Sequence, residues 1–423
     1  LMGLADQKYL GHLYYGRRME DHEGRYLLRA GDSEQEVYRR HRDKINFIDS
    51  FHFEYPTFGT GDFRDPCLRV RDEGGYRVCE LHYAGYEVLE GKPSLEGMPA
   101  TFAGKEEGQG AQTLVIFLKD DVLNLKIELR YSVFEDSDAI IRSVVAVNEG
   151  EKKLYLEKIL SACLDMDNQS FDMISLHGCW ARERHIQAQK VGQGKHAVGS
   201  TRGESSHYVH PFLALTTAGT SQKTGEVYAM NFVYSGNFLA EAELDHRDSV
   251  RMSMGLHPDG FEWVLAPGER FETPEAVLVY SAAGLGPMTR TFHKLYRNHL
   301  IRSKYLHKKR PILINNWEAT YFDFDDEKLV DIAEQAKQLG IEMLVMDDGW
   351  FGKRDGDECA LGDWTVNENK IKGGLKALVD RINALGLKFG IWFEPEMVSP
   401  DSDLYRAHPD WAIQVPGREI TMG

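Results

Sequence analysis

The hydrophobic rhythm of this sequence changes near Gly284, and that change limits what the chain can fold into. Upstream, short runs with alternating or β-branched character recur. They include Leu114-Val-Ile-Phe-Leu118, Leu125-Lys-Ile-Glu-Leu-Arg-Tyr131, Ile140-Ile-Arg-Ser-Val-Val-Ala-Val147, Val227-Tyr-Ala-Met-Asn-Phe-Val-Tyr234 and Ala276-Val-Leu-Val-Tyr280. Such runs read as strands. Turn-formers such as Asn148-Glu-Gly150, Ser235-Gly-Asn237 and Pro267-Gly268 separate them. Many short strands with no helix between them predict stacked antiparallel sheets, a large β-sandwich over residues 1–282.

Residues 283–310 read as a linker helix and a basic loop, with Met288, Phe292, Leu295 and Leu300 at roughly helical spacing. From Pro311 onward the rhythm becomes strand, helix, strand, helix, strand. Ile312-Leu-Ile314 reads as a buried strand, and Ile341-Glu-Met-Leu-Val-Met346 and Leu387-Lys-Phe-Gly-Ile-Trp-Phe393 as the next two. The intervening helices run from Asp326 to Gly340, with Leu329, Ile332, Ala333, Ala336 and Leu339 on one stripe, and from Lys372 to Gly386. In the second, Leu375, Leu378, Val379, Ile382 and Leu385 face inward, and each helix stops at a glycine. Repeated βα units imply a parallel sheet. A dinucleotide-binding sheet would carry a glycine-rich phosphate loop; the nearest approach, Gly108-Gln-Gly110, lacks a third glycine and lies in the β half. The expected fold is therefore a β-sandwich followed by a (β/α)8 barrel over residues 311–423. Only about three βα units are visible, so the sequence is expected to stop partway round a barrel that closes with eight.

Charge and cysteine content exclude several functions. A total of 50 Lys and Arg against 66 Asp and Glu gives a net charge of −16, the wrong sign for a nucleic-acid or anionic-membrane partner. Five widely spaced cysteines, with no C-x-x-C pair, form neither a disulfide framework nor a zinc site. No apolar stretch reaches the roughly 18–20 residues of a membrane span, and the start, LMGLADQKYL, has no secretory pattern. A cytoplasmic protein that needs no cofactor is expected.

The chemistry should sit beyond the carboxyl ends of the parallel strands. Three polar, aromatic segments occupy those positions: Asn315-Asn-Trp-Glu-Ala-Thr-Tyr-Phe-Asp-Phe324, Asp347-Asp-Gly-Trp-Phe-Gly352 leading to Gly362-Asp-Trp364, and Ile391-Trp-Phe-Glu-Pro-Glu-Met397. Carboxylates beside indoles suit a hexose, whose hydroxyls need acceptors and whose C–H face needs an apolar cover. A single Asp at a strand end more often caps the next helix, and a single strand Trp more often belongs to the core. Three strand ends with the same chemistry weigh against that. Asp347 and Asp348 are neighbours and would point to opposite faces of a strand, so both reach one ligand only if the chain turns at Gly349. The acidic loop Asp347, Asp348, Asp355, Asp357 and Glu358 could be read as a metal site, but its spacing fits no calcium loop and Lys353 and Arg354 interrupt it.

These strand-end motifs, with Leu361-Gly-Asp-Trp364 and Phe389-Gly-Ile-Trp-Phe-Glu-Pro-Glu-Met-Val398, resemble those of glycoside hydrolase family 36, the bacterial α-galactosidases. In the β half, Glu54-Tyr-Pro-Thr-Phe-Gly-Thr-Gly-Asp-Phe-Arg64, Trp180-Ala-Arg-Glu-Arg184 and Phe232-Val-Tyr-Ser-Gly-Asn-Phe-Leu239 are similar to that family's amino-terminal β-supersandwich. The resemblance implies retaining hydrolysis of terminal α-galactosides such as melibiose and raffinose. It implies that Asp347 and Asp348 bind galactose hydroxyls, that Trp317 and Trp392 line the sugar pocket, and that Trp180 reaches it from the β domain. It further implies a homotetramer in which Asp32 comes from a neighbouring subunit. His210 stands where the family commonly has Asn. The family's nucleophile, in a Lys-Trp-Asp-x-Asn-Arg motif on the fourth barrel strand, and its acid/base on the sixth have no match before Gly423. No catalytic residue is therefore assigned here, and Glu394 and Glu396 are read as shaping the strand end around Pro395. An α-N-acetylgalactosaminidase or a raffinose-type transglycosidase fits the same motifs, and a non-catalytic carbohydrate-binding protein is the reading from a different class.

Overall fold

Alternating burial along the first three hundred residues builds antiparallel sheets, as the strand rhythm requires. The computed structural model describes residues 1–5, 8–20, 24, 27, 48–103 and 110–419. Two compact units emerge, Leu1–Arg302 and Ser303–Gly423. Asp32 lies outside the described residues.

In the first unit the larger sheet has ten strands. Its path runs Arg182–Lys190, Asp172–Cys179, Phe212–Thr216, Val227–Val233, Glu275–Ser281, Ala139–Asn148, Leu125–Phe134, Ala111–Asp120, His82–Glu90, with Arg270–Glu272 beside Ala139–Asn148. A six-stranded sheet runs Gly194–Ser200, Phe238–Leu244, Ser249–Leu256, Leu154–Asp167, Trp263–Leu265, with Leu68–Asp72 also paired to Leu154–Asp167. The register follows the alternation: Leu129 lies opposite Val144, and Val277 opposite both Ile141 and Asn231.

Two cores join the sheets. In one, Met173, Leu213, Leu215, Met230 and Leu278 of the larger sheet pack with Ala240, Ala242, Met252 and Met254 of the smaller. In the other, Ile127, Leu129 and Val144 pack with Val70, Leu156 and Ile159. Each large apolar side chain so buried contributes about 1.5–3 kcal/mol. The helix Leu285–His299 lays Met288, Phe292 and Leu295 against Ile141, Val277 and Val279, on the opposite face of the larger sheet.

Charges also lie inside. Arg142 and Arg251 are the largest fully buried side chains among the described residues. Arg251 donates Nε to Asp165 Oδ1 at 2.8 Å and its terminal nitrogen to Asp165 Oδ2 at 2.8 Å and Asp62 Oδ2 at 2.7 Å. Arg64 adds a 2.9 Å bond to Asp62 Oδ1 and stands 3.2 Å from Asp165. Arg142 donates to Glu54 Oε1 at 2.7 Å; Tyr131 shares that oxygen at 2.7 Å and His12 takes the other at 2.8 Å. The 54–64 motif is thus a structural staple, with its two ends in separate buried ion clusters.

The second unit carries a three-stranded parallel sheet ordered Leu313–Asn315, Met343–Met346, Lys388–Ile391, with Ile314 opposite Leu344 and Leu344 opposite Phe389. Helices Asp326–Gln338 and Gly374–Ala384 connect them. Asp325 caps the first by accepting from the Lys328 amide at 2.9 Å, and Gly340 follows it at φ +81°. Two expectations are corrected. Ile312-Leu-Ile314 is not buried in this chain: Ile312 is 62% and Leu313 53% exposed, and among the described residues the strand pairs with Met343–Met346 alone. Leu339 is 81% exposed rather than inward, since the helix has ended and its residue no longer lies on the stripe.

Burial would raise the pKa of Glu54, but His12 and Arg142 outweigh it and hold the carboxyl below its usual range. Its stabilisation is therefore full above the ordinary carboxylate pKa and fades as acid protonates the folded group. Glu54→Ala leaves the Arg142 charge buried without its partner, and should lower unfolding free energy at pH 7 by about 3–5 kcal/mol. Urea melts should show the gap from wild type narrowing at low pH. A gap that stays constant, or is near zero at pH 7, would contradict this account.

Candidate active site at the strand ends

Two backbone hydrogen bonds and one from an indole gather the carboxyl ends of the parallel strands. The Asn316 amide donates to Val345 O at 3.3 Å, and the Trp392 amide to Met346 O at 3.0 Å. The Trp350 indole Nε1 donates to Trp392 O at 3.0 Å. Asn315, Asp347 and Trp392 consequently stand along one edge of the sheet.

Asp347 is half-buried between asparagines. Its amide donates to Asn316 Oδ1 at 2.8 Å, Asn315 Nδ2 donates to its Oδ2, and the Asp348 amide donates to its Oδ1 at 2.8 Å. Each oxygen accepts one hydrogen bond and keeps room for another. The chain then turns at Gly349, φ +100°, where a Cβ would meet Phe322 at 3.1 Å and Phe324 at 3.2 Å. The turn anticipated at Gly349, just after the two aspartates, is there.

Asp348 lies deeper, 5% exposed, in a closed arrangement. Its Oδ1 accepts from the Gly349 amide at 2.7 Å and its Oδ2 from Arg354 Nη2 at 2.8 Å, while Arg354 Nε is shared between the two oxygens at 3.1 Å from each. Sequence reasoning noted Arg354 only as an interruption of an acidic loop. The available signal was its position six residues after the aspartate, on the far side of a glycine turn. Asp355 is paired with Lys370 at 2.7 Å. Two carboxylates of the acidic loop thus face protein cations, and no cluster of His, Cys, Asp and Glu suited to a metal ion occurs among the described residues.

The indoles divide by role. Trp317 is half-buried in the short helix Trp317–Thr320, edge-on to Tyr321 and Phe322 with centroids 5.2 and 5.0 Å away. Trp392 is half-buried against the unit's core, whereas Trp350 is wholly buried in it. Trp180 belongs to the first unit, 82% exposed at the tip of the hairpin Asp172–Cys179 and Arg182–Lys190. That tip carries positive φ at Ala181 and Arg184. His210 lies near it in a hollow with Glu183, Arg184, Ser206 and His207; burial, with help from Arg184, lowers its pKa and keeps the ring neutral at pH 7.

Glu394 and Glu396 follow Trp392, and neither takes a hydrogen bond or ion pair among the described residues. Burial, then the charge of Glu396, raise the Glu394 pKa against the opposing pull of Arg354.

Comparison with known proteins now decides the lineage. The glycosyl hydrolase family 36 N-terminal domain matches residues 8–266, and the melibiase domain matches residues 270–423. The chain belongs to glycosyl hydrolase family 36. Among curated members it is 45% identical over 423 residues to α-galactosidase AgaA of Geobacillus stearothermophilus, covering 100% of this chain and 58% of AgaA. It is 41% identical to α-galactosidase Mel36A of Lactobacillus acidophilus, covering 99% of this chain and 57% of Mel36A. The crystal structure of AgaA superposes with a TM-score of 0.95, again over 100% of this chain and 58% of AgaA. A doubly substituted variant of AgaA has been crystallised in complex with raffinose. The chain therefore spans somewhat over half the length of these family 36 relatives.

A carboxyl with a raised pKa keeps its proton in the folded state at pH values where the unfolded chain has lost it. The resulting penalty is absent below the ordinary carboxylate range, grows as pH rises through the window between the two values, and is full above it. Glu394→Gln should therefore melt at a higher temperature than wild type at pH 7, the two converging below about pH 4. Calorimetric melts at both pH values test this, and equal Tm at pH 7 would refute the electrostatic account.

Proposed function

We propose that the protein is an α-galactosidase that hydrolyses terminal α-D-galactosides of the melibiose and raffinose type with retention. The observation that carries this reading is the Asp347 carboxylate at the meeting point of three strand ends. It accepts from Asn315 Nδ2 while Asn316 Oδ1 accepts from the Asp347 backbone amide, has acceptor positions to spare, and has Trp317 and Trp392 on the flanking strand ends. Paired galactose hydroxyls would fill those positions, with an indole against the sugar's C–H face. Membership of family 36, and the relatives named α-galactosidase, support the same substrate class.

In this reading residues 1–282, the strands of the Leu1–Arg302 unit, are the family's β-supersandwich, the helix Leu285–His299 is the linker, and the three parallel strands are the first part of a (β/α)8 barrel. Domain limits at 1–282, 283–310 and 311–423 follow from it. Asp347, Asp348, Trp317 and Trp392 bind and orient galactose. Trp180 contributes from the β-domain, and Asp32 from a neighbouring subunit of a homotetramer. Positioning of this kind supplies binding energy and alignment but no covalent intermediate. A retaining mechanism needs two carboxyl groups roughly 5–5.5 Å apart, one attacking the anomeric carbon and one protonating the leaving oxygen. We place both in the part of the relatives' length that this chain does not cover. A cytoplasmic location fits the five unbonded cysteines, and no helix among the described residues is long and apolar enough to cross a membrane.

The full-length enzyme should release nitrophenol from a nitrophenyl α-galactoside, and residues 1–423 alone should not. Asp347→Ala leaves sugar hydroxyls without their acceptor, a loss of roughly 1–3 kcal/mol or more, so kcat/KM should fall at least about tenfold with the fold intact. Wild-type kinetics for that variant, or turnover by the 423-residue chain, would overturn the assignment.

A further inference from the structure

Arg354 lies at the site, nearly all buried, and no role has been assigned to it. We propose that it is a positioning residue for galactoside recognition, aligning Asp348 so that this carboxylate presents one fixed acceptor to the sugar; this rests on the functional reading above. The first support is acceptor arithmetic. A carboxylate has about four lone-pair positions. On Asp348 three N–H donors, the Gly349 amide on Oδ1, Arg354 Nη2 on Oδ2 and Arg354 Nε midway between the two oxygens, take three of these and leave at most one place. Asp347 keeps one place on each oxygen. The adjacent aspartates are therefore unequal: Asp347 is the open acceptor, and Asp348 offers one direction, chosen by the arginine.

The second support is how firmly Arg354 is itself held. Its Nη1 donates to the carbonyls of Asp357 at 2.6 Å and Cys359 at 3.0 Å, so all three guanidinium nitrogens are engaged. Its own carbonyl accepts from Lys370 Nζ at 3.3 Å; the same ammonium bonds Gly349 O at 3.1 Å and Phe322 O at 2.9 Å. The guanidinium carbon lies 5.6 Å from the Phe322 ring centroid. One side chain therefore ties the Asp348–Gly349 turn to the 353–359 loop, while Lys370 ties that turn to the segment after the first strand. A lysine could neutralise Asp348, but as a point charge without the planar fork it could not hold both carboxylate oxygens and both carbonyls.

A merely structural ion pair would give the same contacts, so the test must read recognition apart from folding. In the full-length enzyme we would prepare R354K, D348N, R354M and the D348N/R354M double variant. For each, the readouts are Tm, kcat and KM on a nitrophenyl α-galactoside, and the inhibition constant of the iminosugar 1-deoxygalactonojirimycin, which has been crystallised with an AgaA variant. R354K should remain folded yet lose about tenfold or more in kcat/KM, with KM and the inhibition constant rising together, because a ground-state contact to the sugar is misplaced. If Arg354 acts through Asp348, D348N and R354M will be non-additive, the double variant having a kcat/KM no lower than D348N alone. R354K with wild-type KM and inhibition constant would overturn the inference, as would effects that multiply in the double variant, or a fall in Tm with kcat/KM intact. Should R354K fail to fold, D348N against D348N/R354M decides. No turnover by the wild-type enzyme overturns the functional reading and this inference with it; turnover that R354K leaves unchanged overturns this inference alone.

Discussion

The Asp165–Arg251 pair is the constraint around which the first unit is assembled. Removing two charges from water costs several kcal/mol for each ion, and only close, multiply hydrogen-bonded geometry recovers that cost. Arg251 meets it with bonds to Asp165 and Asp62, and Arg64 closes the cluster. Asp165 sits on the longest strand, Leu154–Asp167, Arg251 on its neighbour Ser249–Leu256, and Asp62 and Arg64 on a loop. A strand slipped by one residue would turn these groups to the wrong face and strand a charge in the core. Apolar packing supplies the bulk of the stability; the ions dictate which packing is allowed. The second unit repeats the device on a smaller scale, with Asp348 and Arg354 fixing a turn where Asp165 and Arg251 fix a register.

Local chemistry was the legible part of this fold. The switch from alternating strands to strand–helix–strand, the glycines that end both helices, and the turn at Gly349 could be read because each depends on residues a few positions apart. The Arg251–Asp62 contact could not be read, since 189 residues separate the partners and nothing near either announces the other. The same holds for the interleaved strand order of the larger sheet. Leu313 misled for a related reason: apolar character marks a strand, but what packs on its faces comes from distant parts of a sequence.

The candidate site was legible in composition and less so in geometry. The types and places of Asp347, Trp317 and Trp392 follow from the strand ends. The inequality between Asp347 and Asp348 does not, because it arises from Arg354 closing back across the turn. Trp180 illustrates the same division. Its residue type was legible in the β-half motif, while its 82% exposure at a hairpin tip, with positive φ at Ala181 and Arg184, depends on how the strands Asp172–Cys179 and Arg182–Lys190 pair.

The order of strands in the larger sheet also sets when the protein can fold during synthesis. Glu275–Ser281 inserts between Val227–Val233 and Ala139–Asn148. Until it leaves the ribosome, two apolar edges that will become the middle of the sheet face water and can pair with another nascent chain. At translation speeds of about 5–20 residues per second, the exposure lasts several seconds or more after Ala139–Asn148 is made.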